Sequence, residues 1–314
     1  HHASPSKRDG SLDLIEKAVR QAGLRASLCY EVSDRNTAGA GIDENERFIN
    51  KVKLGDGQIS AMMGLHASFT LSDATLERCA RIAKEIGVGC HIHVAEDAAD
   101  REDSLRKYKM PTVERLLNSG LTGEKSIFVH CVHIDEQEME ILSGTNTPVV
   151  HNPESNMNNA VGVTPLLQLL QKGVLVGLGT DGMGSDMLVQ MRCAYLLHRL
   201  ANKDPRVAFM EAPQLLLANN IEIAKRQLNL QLGQITESYP ADLAIFDYHP
   251  PTPLNEGNFL GHLLFGLVDA TVDTTVCKGK LLMRGKKILV MDEEQIAARS
   301  RELAPRMWNR LQEL

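Results

Sequence analysis

The chain has 314 residues, a formal net charge of −6, 43% hydrophobic and 24% charged residues, enough to bury a large core as one barrel-sized domain or two smaller ones. Dispersed lysines and arginines under a net negative charge exclude a nucleic-acid surface and give no reason for an anionic membrane; no apolar run approaches the roughly 20 residues of a membrane span. The cysteines Cys29, Cys79, Cys90, Cys131, Cys193 and Cys277 form no CxxC pair, so they read as reduced thiols of a cytoplasmic protein.

The chain opens on His1 rather than Met, so its natural start is expected upstream. Residues 11–23 read as a helix with Leu14, Ile15, Ala18, Val19 and Ala22 on one face, and 26–31 as a strand. Residues 35–58 are polar and glycine-containing, predicting a long loop excursion around a short helix at 44–52. A strand at 62–67 is followed by a helix capped at Ser72 and ended by Gly87. Strands at 88–96, 126–133, 147–151 and 174–179 follow, with helices starting at Pro111 and Pro165 between them. Counted from residue 26, these are six βα repeats, with a strand contact to His2 also conceivable. Such alternation implies a parallel sheet with helices outside, either doubly wound or most of an eight-stranded barrel.

Beyond Asp181, helices are predicted at 186–201 and 211–229. The text then turns to short β runs at 242–248, 271–277 and 280–290, with a hairpin at Lys278-Gly279, and ends in an amphipathic helix pair at 292–314 broken by Pro305. The expected division is a barrel over 1–230, a β portion over 231–291 and a helical tail over 292–314.

The chemistry gathers at strand tips. The apolar run from Val174 to Leu178 empties into glycines around Asp181, and a lone carboxylate at the C-terminal tip of a parallel strand is where such folds keep their chemistry. In HIHVAE, His91 and His93 share a strand face and Glu96 follows at the tip. A histidine ligand with a proton-carrying carboxylate beside it suits a metal hydrolase, whereas His91, being deeper, reads as a packed histidine. His130 ends the next strand and could orient water or polarise substrate; a Cys131–His133 nucleophilic pair is a minor alternative. His151-Asn152-Pro153-Glu154-Ser155-Asn156 reads equally as substrate recognition or a rigid polar turn, and the role of His66 is open. GLGTDG also spells GxGxxG, but it closes the βα series and places Asp181 where a pyrophosphate would sit, which excludes a dinucleotide.

HIHVAE, VHCVH, VHNPESN and GLGTDG in this order, with ADLAIFDY and VCKGKLLMRGK near the C-terminus, resemble the amidohydrolase superfamily, in its cytosine-deaminase/chlorohydrolase-like branch. DYHPPTPL and HLLFG bring it nearest the SsnA-type aminohydrolases of bacterial purine and selenium metabolism. The resemblance implies an α/β fold: a (β/α)8 barrel of TIM type, incomplete at its N-terminal strands, with a small β-sandwich portion and one divalent metal, zinc or alternatively iron. It implies metal ligation by His93 and Asp181, and catalysis by Glu96, His130 and Asp181. Substrate contacts are implied for His66, His130, Asn152 and Asn156. The implied reaction is hydrolytic deamination of a small aminated heterocycle (purine, pyrimidine or pteridine), in a homodimer as family habit suggests. Chloride or an amide nitrogen is the alternative leaving group. The family's HxH strand is not found before His1, so this stretch by itself is expected to bind metal weakly and turn over little or nothing. A silent binding scaffold is the reading from another class.

Overall fold

The computed structural model describes residues 1–4, 7–53 and 55–312. The first part runs α1 (Ser11–Ala22), β1 (Ala26–Leu28), α2 (Ala38–Val52), β2 (Ile59–Ala61), β3 (Met63–Ala67), α3 (Asp73–Ile86) and β4 (Cys90–Val94). It continues through α4 (Ala98–Tyr108), α5 (Thr112–Asn118), β5 (Ile127–His130), α6 (Glu136–Gly144), β6 (Val149–His151), α7 (Pro153–Asn158), α8 (Leu166–Gln171) and β7 (Val176–Leu178). β3 to β7 form a parallel sheet in chain order, and β1 pairs in parallel with β2. Parallel bridges from Val32 to Leu65 and from His2 to Tyr30 extend the same array to the start of the chain. All six predicted strand regions are present.

Strand period places the chemistry. In β4, Cys90, Ile92 and Val94 are buried while His91 and His93 alternate with them on the other face, as the two-residue repeat of a strand requires. At the far edge, β7 has no further strand partner among the described residues. Its backbone is met instead by side-chain amides: Asn220 Oδ1 accepts from Leu178 N (2.8 Å) and Asn219 Nδ2 donates to Val176 O (2.7 Å). This explains the GxG of GLGTDG without a nucleotide. A Cβ on Gly177 would lie 2.3 Å from Asn220 Oδ1, and one on Gly179 2.3 Å from Asn152 Oδ1.

The region predicted as a loop at 35–58 is instead mostly α2. Ile42, Phe48 and Ile49 are fully buried on its inner face, and Asn45 bonds both Tyr30 N and Tyr30 O at 2.8 Å. Gly39, Gly41 and the buried polar Glu44 and Asn45 hide the 3.6-residue apolar period from a reading of the text.

The remaining elements are α9 (Met187–Asn202), α10 (Glu211–Gln214), a π-helical turn Leu215–Asn219, α11 (Asn220–Leu228), β8 (Leu243–Asp247), α12 (Phe259–Phe265), β9 (Thr271–Cys277), β10 (Lys280–Arg284), β11 (Lys287–Ile288) and α13 (Glu293–Gln312). The implied sandwich portion is present as one antiparallel sheet ordered β11-β10-β9-β8, with the β9–β10 hairpin turning at Lys278-Gly279 as predicted. An ion pair from Arg25 Nε to Asp242 (2.7 Å) ties it to the parallel part. The predicted break at Pro305 does not occur: α13 runs through it, with no buried residue. The carbonyl that proline leaves unpaired faces water there, which softens the usual penalty. The last two residues of the predicted tail lie outside the described residues. No helix among the described residues is long and apolar enough to cross a membrane.

Behind the sheet, His151 and His198 are both about 1% exposed or less and share a 3.1 Å Nε2–Nε2 hydrogen bond. Burial holds His198 down to about 4 and His151 well below its ordinary value. An unfolded histidine titrates near 6.5, so the contribution of His198 is complete above that pH and is lost as pH falls toward 4. Urea unfolding at pH 5.0 is expected to show about 2 kcal/mol less stability than at pH 7.5 from His198 alone. His198→Gln should flatten that part of the pH dependence.

Candidate active site

The C-terminal tips of β4, β5 and β7 converge, and each turns through a left-handed residue that is not glycine: Ala95 (φ 44°), His130 (φ 71°) and Asp181 (φ 50°). Such strain costs on the order of 1–3 kcal/mol per residue and concentrates at functional sites. Here it turns Glu96, His130 and Asp181 toward one another. Their ligand-type atoms lie within 4.8 Å of each other: His130 Nε2 is 3.5 Å from Glu96 Oε2 and 3.8 Å from Asp181 Oδ2. His93 stands beside them, its ring centroid 5.6 Å from that of His130, and also groups with His1 and Glu31.

The hydrogen bonds settle which way each group points. Thr164 Oγ1 donates to His130 O (2.9 Å) and accepts from Asn156 Nδ2 (3.3 Å). Asn156 therefore turns its carbonyl to His130 Nδ1, 2.8 Å away, and that nitrogen carries the proton. His130 Nε2 is left as a buried lone pair with no hydrogen-bond partner, aimed at two carboxylates. His93 Nδ1 likewise donates to His66 O (2.8 Å), freeing its Nε2. Imidazoles fixed through one nitrogen by a backbone or amide oxygen, with the other facing carboxylates, form the usual arrangement behind a metal ion. A buried, unpartnered imidazole nitrogen facing two carboxylates fits a divalent cation.

The carboxylates are tuned by neighbours. Burial pushes Asp181 up, but Ser155 Oγ at 2.5 Å together with His130 and His93 outweighs it and holds the carboxyl below its ordinary value. Glu96 Oε1 accepts from Asn159 Nδ2 (3.2 Å). His66 is held down to about 4, first by burial and then by His93 and Arg35. A cavity of about 390 Å³ opens over the group, lined by Glu31, His66, Phe69, His93, Glu96 and Asp181 among others. A larger cavity of about 510 Å³ lies at the opposite ends of the strands, near Ile59, Gly89 and Lys125, and contains none of the histidines.

Of the residues singled out in the sequence, His66, His93, Glu96 and Asp181 line the cavity, and fully buried His130 sits against Glu96 and Asp181. Asn156 lies behind His130 at 0% exposure, and Asn152 is buried beside Gly179; neither is on the cavity wall. The Cys131–His133 pair is excluded as a nucleophile. Burial raises the Cys131 thiol well above its ordinary value, and His133 Nε2 is engaged with Val161 O at 2.7 Å. Sequence reasoning missed Glu31 and Asn159, and named Ser155 only within the 151–156 polar cluster, with no role of its own. Ser155 and Asn159 are four residues apart, the spacing of one helix face, but α7 was not predicted.

Strand tips carrying imidazole and carboxylate around a shared cavity define a metal-hydrolase type of centre. The chain belongs to the amidohydrolase family, whose model matches residues 1–282. A 5-methylthioadenosine/S-adenosylhomocysteine deaminase of Pelotomaculum thermopropionicum is 36% identical over 313 residues, covering 96% of this chain and 70% of the relative. A 5'-deoxyadenosine deaminase of Methanopyrus kandleri is 31% identical over 94% of this chain and 70% of its own length. Among solved structures, an adenosine deaminase from Xanthomonas campestris with bound zinc superposes with a TM-score of 0.84 at 23% identity, covering 95% of this chain and 70% of that one. The zinc complex of an atrazine chlorohydrolase from Arthrobacter aurescens gives 0.79 at 20% identity, over 96% and 70%. The fold is thus that of the amidohydrolase barrels.

Proposed function

We propose that this chain carries the centre of a zinc-dependent aminohydrolase that deaminates a purine-like heterocycle. The observation that supports it most is the unpartnered His130 Nε2 facing Glu96 and Asp181, in a family whose relatives here are named as adenosine-type deaminases. His93, His130 and Asp181 would hold the ion, with Glu96 within reach. When bound, the metal supplies positive charge that brings the pKa of a water down to about 7.

Around it, Asp181 orients the attacking water and takes its proton. Glu96, reaching into the cavity, delivers a proton to a ring nitrogen and then to the departing amine, so that C–O forms, C–N breaks and ammonia leaves. Asn156 positions His130 through Nδ1 and leaves Nε2 directed at the reacting groups. His66 contacts the substrate at the cavity wall.

The test is ammonia release after anaerobic zinc loading, across adenosine-type, guanine and pteridine amines, with iron loading in parallel. Turnover of at least one amine is expected, in place of the inactivity that the missing HxH strand suggested for this stretch, because His130 and Glu96 stand close enough to complete the ligand set. Zinc uptake with no ammonia from any amine, or chloride release from a chlorinated heterocycle alone, would overturn the reading.

A further inference from the structure

One wall of the cavity is built only from acceptors. Thr70 Oγ1 gives its hydrogen to Ala67 O (2.8 Å), so toward His66 Nδ1, 2.9 Å away, it can only accept. A neutral imidazole carries a single proton, and here it sits on Nδ1. His66 Nε2 is therefore a lone pair, and it faces Glu31 Oε1 at 3.7 Å. The other oxygen, Oε2, meets the same situation. His1 Nε2 lies 3.2 Å from Leu65 O, which can only accept. In its neutral form, His1 Nδ1, 3.5 Å from Glu31 Oε2, is a lone pair too.

Glu31 has no hydrogen bond to its carboxylate among the described residues, although it lines the cavity and is mostly buried. Arg35, the nearest cationic side chain in sequence, lies over the Phe69 ring at 5.1 Å instead. A mostly buried carboxylate beside the His66 lone pair, with no hydrogen bond of its own, is unfavourable unless donors enter from the cavity, because it gives up water without replacing it.

We infer that Glu31, with His66, is the specificity-determining acceptor of this site, taking N–H donors from a neutral, multiply aminated heterocycle. The inference rests on the purine-like reading above and names the kind of substrate edge that reading leaves open. A diaminopurine presents exocyclic amino groups, each carrying N–H donors, and these suit Glu31 Oε1 and His66 Nε2 together. An unsubstituted purine has too few donors to use both. A ligand with an anionic arm at this wall would meet a carboxylate.

The test compares 2,6-diaminopurine with purine, each titrated by calorimetry into the metal-free 314-residue chain. In Glu31→Gln, 2,6-diaminopurine is expected to bind about tenfold more weakly while purine changes by about twofold or less. Glu31→Asp should restore part of the preference, and unchanged thermal midpoints should show that both variants fold. Equal weakening of both probes in Glu31→Gln would overturn the inference alone, since a structural role shifts them together. Failure of the wild-type chain to bind either purine would overturn it and the purine-like reading with it. A second equivalent of zinc that Glu31→Gln abolishes would also overturn it, because the wall would then hold an ion.

Discussion

Replacement of Asp181 by Asn is expected to lower kcat for amine hydrolysis by about 10²–10⁴-fold, the range for losing a positioned proton-transfer group. Asparagine keeps the size of the side chain and can still accept from Ser155, whose Oγ lies 2.5 Å from Asp181 Oδ2. The left-handed backbone at 181 also tolerates asparagine well. The fold should therefore survive while the proton acceptor and one negative charge are lost. The check is steady-state kinetics on the zinc-loaded chain, with the thermal midpoint measured alongside. A kcat within about threefold of wild type would remove Asp181 from the chemistry.

The largest effect on stability is expected at Asp100. Its carboxylate is 2% exposed and accepts from Ser68 Oγ (2.5 Å), Phe69 N (3.2 Å) and Ala95 N (2.6 Å). It therefore joins the loop after β3, which follows His66, to the left-handed turn after β4, which carries Glu96. Truncation to Ala would strand three buried donors, each costing about 1–3 kcal/mol, for a total of about 3–5 kcal/mol after relaxation. Asp100→Asn should cost less, because it keeps one acceptor. Urea unfolding measures both. Loss of under about 1 kcal/mol in Asp100→Ala would mean that the two loops are held by something else.

Most strand tips were legible because a parallel strand buried on both faces spells an unbroken apolar run: such runs lead into His130, His151 and Asp181, while β4 alternates, with its histidines on one face. HIHV, IFVH, VVH and VGL are the observed strands or their cores. The helices that escaped notice bury polar residues. In α4 the buried positions are Asp100 and Ser104, and in α6 Glu138 is buried beside Met139 and Leu142. The apolar period of such helices is absent or short, because hydrogen bonds of buried polar side chains help to seat them. The same blindness hid Glu31, which reads as the polar end of a strand until the fold brings His66 beside it. Left-handed turns at Ala95, His130 and Asp181 leave no trace in the residue types, since none is glycine. The pairing of Asn156 with His130 joins positions 26 apart, which only the β5–β6 register reveals.

Geometry also changes the expected ligand count. The resemblance assigns two metal ligands to this stretch, His93 and Asp181, whereas His130 and Glu96 also stand close enough to join them. Zinc generally needs three protein ligands or more. Competition titration of the metal-free chain against a chromophoric zinc chelator therefore tests the account most directly. One equivalent of zinc is expected to bind, with affinity reduced at least about a hundredfold in both Asp181→Asn and His130→Ala. No uptake by the wild-type chain, or equal uptake by all three proteins, would contradict it.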